Sequence, residues 1–368
     1  MKKILFVDTG LEFGGGTKSF LYLLDALIDK KDYEILTYFE NDYLVNTKKI
    51  SQILNEHGAK HLNFNHIKRM GKLKKELLRI FSKELVYKKM YTENLRFARE
   101  LLRFANPDLL HLNNHFSTNI AYNVAANELG INVIQHCRKN AKIENFKLNI
   151  LKDLKFKTIC VSQSTYEFYK SQICIDKNVI YNPIEIHGNL CDNRDDNIIN
   201  IVMPANFLSL KGHDLVFEAM IEMKRKDIIL TLAGNGVFEG KVLSNFEILK
   251  KRGVVKHIGF VENMNEVYEK SDFVLGFSTD EGLPRVVIEG LAKGCGIIFS
   301  DIKVAREIYE ISSLKDIFYI VNRNKMSLKE CLENIKKPNI KKPDYSIIKQ
   351  FSLENYIQSI DLLYKSLI

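Results

Sequence analysis

Short apolar runs alternate with longer amphipathic stretches along the first half of the chain. KILFVD, YEILTYF, DLLHL, NVIQH and KTICVS are each bounded by polar or turn-forming residues, and the segment KSFLYLLDALIDK carries its apolar positions at helical spacing. Runs this short and this apolar predict strands buried on both faces. Strands that alternate with helices need crossover connections, hence a parallel sheet covered on both sides. The second half restarts the pattern with NIINIVMPA, DIILTLAG, VKHIGF, DFVLGFS and CGIIFSD. Between the halves, VIYNPIEIHGNLCDNRDDNIIN combines Pro183, Gly188 and a polar run that suits neither period. The pattern therefore predicts an α/β fold of two doubly wound parallel-sheet domains, 1–182 and 199–350, with a hinge at 183–198. Leu353, Tyr356, Ile357, Ile360, Leu363 and Leu367 form a helical stripe, predicting a helix over 351–368 that packs back across the molecule. Open parallel sheets bind ligands outside the carboxyl ends of their strands, so two such domains predict a cleft there.

Composition agrees with this division. A chain of 368 residues exceeds one ordinary hydrophobic core and suits two domains of roughly 150–200 residues. With 46% hydrophobic and 27% charged residues it is neither a disordered nor a fibrous sequence. The six cysteines form no CxxC pair, and most sit in apolar runs, which predicts reduced core thiols in a cytoplasmic protein. The apolar run after MKK is too short for a signal peptide, and no stretch approaches the ~18 apolar residues of a membrane span.

The net charge of +9 is concentrated in one segment. Between Ile67 and Phe104, the cations Lys68, Arg69, Lys72, Lys74, Lys75, Arg79, Lys83, Lys88, Lys89, Arg96, Arg99 and Arg103 face only Glu76, Glu84, Glu93 and Glu100. Leu73, Leu77, Phe81, Leu85, Phe97, Leu101 and Phe104 recur there at helical intervals. Two readings stand side by side: peripheral contact of 67–104 with an anionic membrane, or a solvated helix face around ordinary core contacts. No nucleic-acid-binding module accompanies the charge.

Three places carry candidate chemistry. The turn Asp8 to Thr17 joins the first strand to the first helix, and Gly15, Gly16 and Thr17 are positioned to let a diphosphate approach free N–H groups. It lacks the spacing of GxGxxG and has no GK[ST], so a plain tight turn explains it equally well. Next, STDEGLPRVVIEG follows an apolar strand. If a helix starts near Pro284, Glu281 lies in the loop before it and Glu289 about a turn and a half inside. Finally, DLLHLNNHFSTN and VIQHCRKN end strands with polar residues, among them His111, Asn114, His115 and His136.

On these residues the chain resembles the retaining GT-B glycosyltransferases of family 4 type, the glycosyl transferases group 1, in which two glutamates are separated by seven residues as Glu281 and Glu289 are. ANFLSLKGHDLVFEAM, LAGNG, HIGFVENMNEVYEKSDF and LAKGCGIIFSD follow in that family's order. The resemblance implies a GT-B fold of two Rossmann-like domains with an interdomain cleft. It also implies transfer of a sugar from a nucleotide-diphosphate sugar, a UDP-sugar being favoured, to a glycan or lipid-linked acceptor in bacterial surface polysaccharide synthesis. Glu281 would bind donor-sugar hydroxyls and Glu289 the ribose diol. Lys211 and the backbone N–H groups from Leu283 to Arg285 at the helix start, around Pro284, would meet the phosphates. His136 would stand beside the reacting sugar as the catalytic histidine, and His111, Asn114 and His115 would touch the acceptor. Ser162 and Asn182 also fall at family landmarks, but turn chemistry explains them equally well.

The chain departs from the family at Asn206, where relatives commonly carry an arginine, so phosphate neutralisation would rest on Lys211 and Arg285. No DxD motif with supporting carboxylates appears, since Asp195-Asp196 lies in the polar linker. The expectation is therefore metal-independent transfer with no cofactor. A non-hydrolysing sugar-nucleotide epimerase of the same fold is the alternative. A nicotinamide dehydrogenase would need the GxGxxG that is missing.

Overall fold

The structure is a computed structural model that describes residues 1–45, 47–64, 76, 82–184, 197–338 and 342–368. Most of the hinge read from sequence, 185–196, lies outside the described residues, as do Gly188 and Asp195-Asp196. The chain folds into two compact units, Met1–Asn182 with Glu354–Ile368, and Pro183–Leu353.

In the first unit, β1 (Lys2–Asp8), β2 (Tyr33–Phe39), a short antiparallel pair β3 (Leu44–Val45) and β4 (Lys48–Lys49), β5 (Lys60–His61), β6 (Leu109–Leu112), β7 (Asn132–Cys137) and β8 (Lys157–Cys160) follow one another. The main sheet is parallel, with order β5-β2-β1-β6-β7-β8. Its central strand β1 pairs with β2 and β6 at once, Ile4 lying opposite Ile35 and Leu109. Hence its run from Ile4 to Val7 is apolar without alternation and wholly buried. One face is covered by Phe20, Leu23, Leu24 and Leu27 of the helix Gly15–Lys30, together with Tyr356, Ile360 and Tyr364 of the helix Leu353–Lys365. Asp361 ties these layers, accepting from Lys30 Nζ and Tyr33 Oη at 2.9 Å each and from Lys365 Nζ at 3.0 Å.

The opposite face bears on the basic segment. In the helix Lys83–Ala105, Phe97, Ala98, Leu101 and Leu102 pack on the sheet with Ala121, Tyr122, Ala125 and Ala126 of the helix Phe116–Glu128. Of that stripe, Phe97 and Leu101 are thus committed to the unit's own core, while Phe104 is 64% exposed. What faces solvent on this part of the helix is a cationic face with Lys88, Lys89, Arg96 and Arg103, as the solvated-face reading expects. Leu73, Leu77 and Phe81 lie outside the described residues. Among the described residues no helix is long and apolar enough to cross a membrane.

The second unit contains β9 (Ile199–Pro204), β10 (Ile228–Ala233), β11 (Val255–His257), β12 (Phe273–Gly276), β13 (Gly296–Ser300) and β14 (Phe318–Val321) in a parallel sheet of order β11-β10-β9-β12-β13-β14. In both sheets the chain order reverses beside the first strand, at β1 and at β9. At such a switch point the loops leaving neighbouring strands run to opposite faces and open a crevice at the carboxyl ends. Among the described residues, Cys137, Cys160, Cys174, Cys295 and Cys331 are thiols that form no disulfide with one another.

Candidate active site

At the carboxyl end of β12 in the second unit, the chain passes through buried Phe277 into the loop that carries Glu281. Ser300 Oγ donates to the Ser278 carbonyl at 2.6 Å, and Ser278 Oγ donates to Glu281 Oε1 at 2.7 Å. A second bond, from Thr279 N–H to the Leu210 carbonyl at 2.9 Å, joins this loop to the turn after β9. That turn, Ser209–Lys211, ends at Gly212 with φ 77°, and its Lys211 Nζ donates to Glu281 Oε1. A Cβ on residue 212 would stand 2.5 Å from the Phe277 carbonyl oxygen, so the close approach that forms the ion pair requires glycine. The Lys211 and Glu281 side chains keep 23% and 20% of their surface: desolvated enough to strengthen the pair, open enough for a ligand to reach it.

Glu289 is braced from below. It lies inside the helix Arg285–Ala292, where Arg285 Nη2 donates to Oε1 at 3.2 Å and buried Tyr268 donates its hydroxyl to Oε2 at 3.0 Å. Burial, then the Glu289 charge, pushes the Tyr268 hydroxyl well above its ordinary pKa, so it remains a donor. A carboxylate held this way still has lone pairs for a vicinal diol. Arg285 itself is only 7% exposed and turned toward Glu289, which removes it as a free phosphate cation. Pro284 has no N–H, and the Arg285 N–H donates to the Leu283 carbonyl at 3.0 Å. Of the expected backbone donors, that leaves Leu283.

Asn206 serves the fold: its Oδ1 accepts the Asn235 N–H at 3.0 Å and clamps the loops after β9 and β10. The positive charge missing there has a counterpart that the sequence did not reveal. Arg323, just beyond β14, donates from Nε to the Phe277 carbonyl at 2.9 Å, and its Nη2 comes within 3.2 Å of where a Gly212 Cβ would stand. A guanidinium therefore lies against the turn that bears Lys211. Neighbouring His213 adds no charge, because burial and Lys211 hold its pKa down to about 4.

In the first unit the turn after β1 is organised around Asp8, whose Oδ1 accepts from Gly10 N–H at 2.6 Å and Asn114 Nδ2 at 2.9 Å. Burial raises its pKa, against the pull of these bonds and of Arg138. Asn114, in the left-handed region at φ 84°, is thus a brace for the glycine turn. Thr17 is buried and within 3.2 Å of the Tyr43 hydroxyl, while Gly15 opens the helix. At Gly16 a Cβ would meet Arg138 Cδ at 2.8 Å. Arg138 is the second residue that the sequence pattern did not single out, although it sits in VIQHCRKN. Its guanidinium donates to three neutral acceptors, Asn113 Oδ1 at 3.1 Å, Asn182 Oδ1 at 2.6 Å and Tyr356 Oη at 3.4 Å.

His136 and His111 lie deeper. Both are fully buried, with His111 Nε2 3.1 Å from His136 Nδ1 and His111 Nδ1 2.5 Å from the Tyr364 hydroxyl. Burial first, and Arg138 second, hold both pKa values well below the usual histidine range, so both rings are neutral. With both nitrogens engaged and no exposed surface, His111 is a link inside the unit, not a surface contact. His136 Nε2 has no partner among the described residues. His115 occupies the N-cap position of the helix Phe116–Glu128 without a side-chain cap bond and is nearly buried, its pKa brought to about 4 by burial, Lys139 and Lys147. The structure thus assembles one group around Lys211, Glu281 and Glu289, and another around Gly16, Asn114 and His136.

Comparisons with known proteins bear on both units. The chain is 31% identical over 129 residues to the N-acetylgalactosamine-N,N'-diacetylbacillosaminyl-diphospho-undecaprenol 4-alpha-N-acetylgalactosaminyltransferase of Campylobacter jejuni, covering 34% of this chain and 35% of that one. It is 25% identical over 194 residues to the O-antigen biosynthesis glycosyltransferase WclY of Escherichia coli, covering 47% and 54%. The match thus spans about a third to about half the length of these curated relatives. Among solved structures, a glycosyltransferase from Rickettsia africae superposes with a TM-score of 0.74 at 16% identity, over 100% of this chain and 98% of that one. Anabaena HepE in complex with UDP gives 0.71 at 17% identity over 100% of both. At such identities the likeness shows the fold, two Rossmann-like domains of the GT-B class. Residues 192–346, most of the second unit and all of its Lys211, Glu281 and Glu289 group, match the family described as Glycosyl transferases group 1.

Proposed function

We propose that this chain is a glycosyltransferase that moves a sugar from a nucleotide-diphosphate sugar to a glycan or lipid-linked acceptor, with retention of configuration and without a metal ion. The observation that carries the reading is the Lys211–Glu281 pair at the carboxyl end of the second sheet, beside a Glu289 braced by Tyr268 and Arg285. Glu281 accepts from the donor-sugar hydroxyls through Oε2, which has no protein partner among the described residues, and Glu289 accepts from the ribose diol.

As the bond to the anomeric carbon breaks, negative charge gathers on the departing diphosphate. Lys211 and Arg323, fixed before the reaction starts, stabilise that charge more in the transition state than in the ground state. These cations are what supports transfer without a metal. A UDP-sugar donor and a lipid-linked or O-antigen acceptor are favoured because a structural neighbour holds UDP and the two relatives are described by such reactions.

The test is a thermal-shift screen of nucleotide sugars, followed by a transfer assay with the best binder in the presence and absence of EDTA. Stabilisation by a nucleotide-diphosphate sugar and transfer unaffected by EDTA are expected. Strict metal dependence overturns the mechanism, and donor isomerisation without transfer overturns the function.

A further inference from the structure

We propose that Tyr364, on the helix Leu353–Lys365, fixes the tautomer of His136 through His111, so that His136 presents an Nε2–H donor beside Arg138 at the carboxyl end of β7. The three groups form one buried line, Tyr364 Oη to His111 Nδ1 at 2.5 Å and His111 Nε2 to His136 Nδ1 at 3.1 Å. Each neutral imidazole carries one proton, so the line has two self-consistent directions. In the first, the Tyr364 hydroxyl donates to His111 Nδ1, His111 Nε2–H donates to His136 Nδ1, and His136 keeps its proton on Nε2. One donor is then left over.

In the reverse direction His111 Nδ1–H donates to the tyrosine oxygen and His136 Nδ1–H donates to His111. The Tyr364 hydroxyl proton then has no acceptor, and the His136 Nε2 lone pair has no donor. Tyr364 is fully buried and has no other hydrogen-bond partner among the described residues, so the reverse direction strands two buried groups where the first strands one. The first direction is selected.

The same helix holds the neighbouring donor. Tyr356 and Tyr364 lie on one buried stripe, and Tyr356 Oη receives Arg138 Nη2 at 3.4 Å. His136, at the end of β7, and Arg138, just beyond it, are thus both linked to this helix, His136 through His111 to Tyr364 and Arg138 to Tyr356. The three hydrogen-bond acceptors of Arg138 are neutral, and its charge acts on the nearby Asp8 carboxyl. The terminal helix thus orients fully buried His136 and holds half-buried Arg138, whose guanidinium is the donor suited to the hydroxyl or phosphate oxygens of a sugar substrate. That last step rests on the glycosyltransferase reading, whereas the tautomer does not.

The experiment is a long-range proton–nitrogen correlation of the imidazoles in the full chain labelled with nitrogen-15 histidine, near neutral pH, with His136 and His111 assigned from H136Q and H111Q. A bare Nδ1 and protonated Nε2 on His136 are expected. Y364F, which keeps the ring and removes the hydroxyl, should convert His111 and His136 to mixed tautomers. In turnover of UDP-glucose or UDP-N-acetylgalactosamine it should lower kcat about tenfold with little change in KM, as loss of an orienting partner does. Y356F should leave the tautomer as it is. A proton on Nδ1 of His136 in the wild type overturns the relay, and so does an unchanged tautomer in Y364F. A changed tautomer with unchanged kcat overturns the positioning role. The spectra need no substrate, so the relay and the proposed reaction fail separately.

Discussion

Lys211 and Glu281, 70 residues apart in the chain, share a hydrogen bond at the junction of two loops that Thr279 and Leu210 pin together. On the proposed function, a ligand diphosphate would compete for the lysine, and a sugar hydroxyl for the carboxylate. Glu281→Ala should therefore abolish transfer and leave UDP binding measurable by calorimetry. Lys211→Ala should weaken UDP by about 1.5–3 kcal/mol, the usual worth of a hydrogen bond to a charged group. Full activity in Glu281→Ala would sink the assignment.

Arg323 reaches the same turn from β14, and its contribution is to charge, not to the base or ribose. In Arg323→Gln, affinity for UDP should fall by about tenfold, roughly 1.4 kcal/mol, with little change for UMP. Equal losses for the two nucleotides would assign Arg323 to the fold alone.

Gly212 has a double reason to be glycine: a positive φ and a carbonyl oxygen 2.5 Å from where its Cβ would be. Gly212→Ala should cost at least about 2 kcal/mol in denaturant unfolding of the second unit, from left-handed strain plus the displaced Phe277 carbonyl. A loss under half that size would mean that the turn relaxes freely.

Acid should weaken the first unit in two stages. His111, His115 and His136 are neutral when folded, with pKa values below the ordinary 6.5, so the unfolded chain binds more protons and stability falls as pH drops below that value. Burial raises the Asp361 carboxyl, but the bonds from Lys30, Lys365 and Tyr33 outweigh it and leave the pKa below 3.8. A depressed carboxyl contributes stability above its unfolded value and loses it as pH falls through the folded one. Denaturant midpoints measured from about pH 7 to about pH 3 should show the histidine stage first, and Asp361→Asn should shrink the later stage, to which Asp42, Asp108 and Glu128 also contribute, and leave the histidine stage in place. A midpoint flat down to about pH 4 would refute the histidine stage.

The parallel sheets were legible because strands buried on both faces carry apolar runs that no other element needs. The Glu281 and Glu289 spacing was legible because local chain geometry alone places both carboxylates at one strand end. What escaped depends on distant packing. Nothing near Arg285 announces that it turns inward, since that follows from the buried Tyr268 and Glu289 beneath it. Arg323 has no local motif, and its role exists only because β14 ends beside the turn of Lys211. His111 and His136 stand in apolar strands, and their fate was decided by a tyrosine contributed by the last helix. The stripe of Phe97 and Leu101 has the same period whether it meets lipid or a sheet, so only the fold distinguishes the two.

The segment Glu354–Ile368 belongs with Met1–Asn182, and this sets the order in which the molecule can be made. A ribosome releases the early strands first, but Ile4, Phe6 and Ile134 share their core with Tyr356, Ile360 and Tyr364. That face stays uncovered while the whole of the second unit is synthesised, and the nascent first unit is sticky for that interval. Completion of the first unit therefore waits until the second has been made.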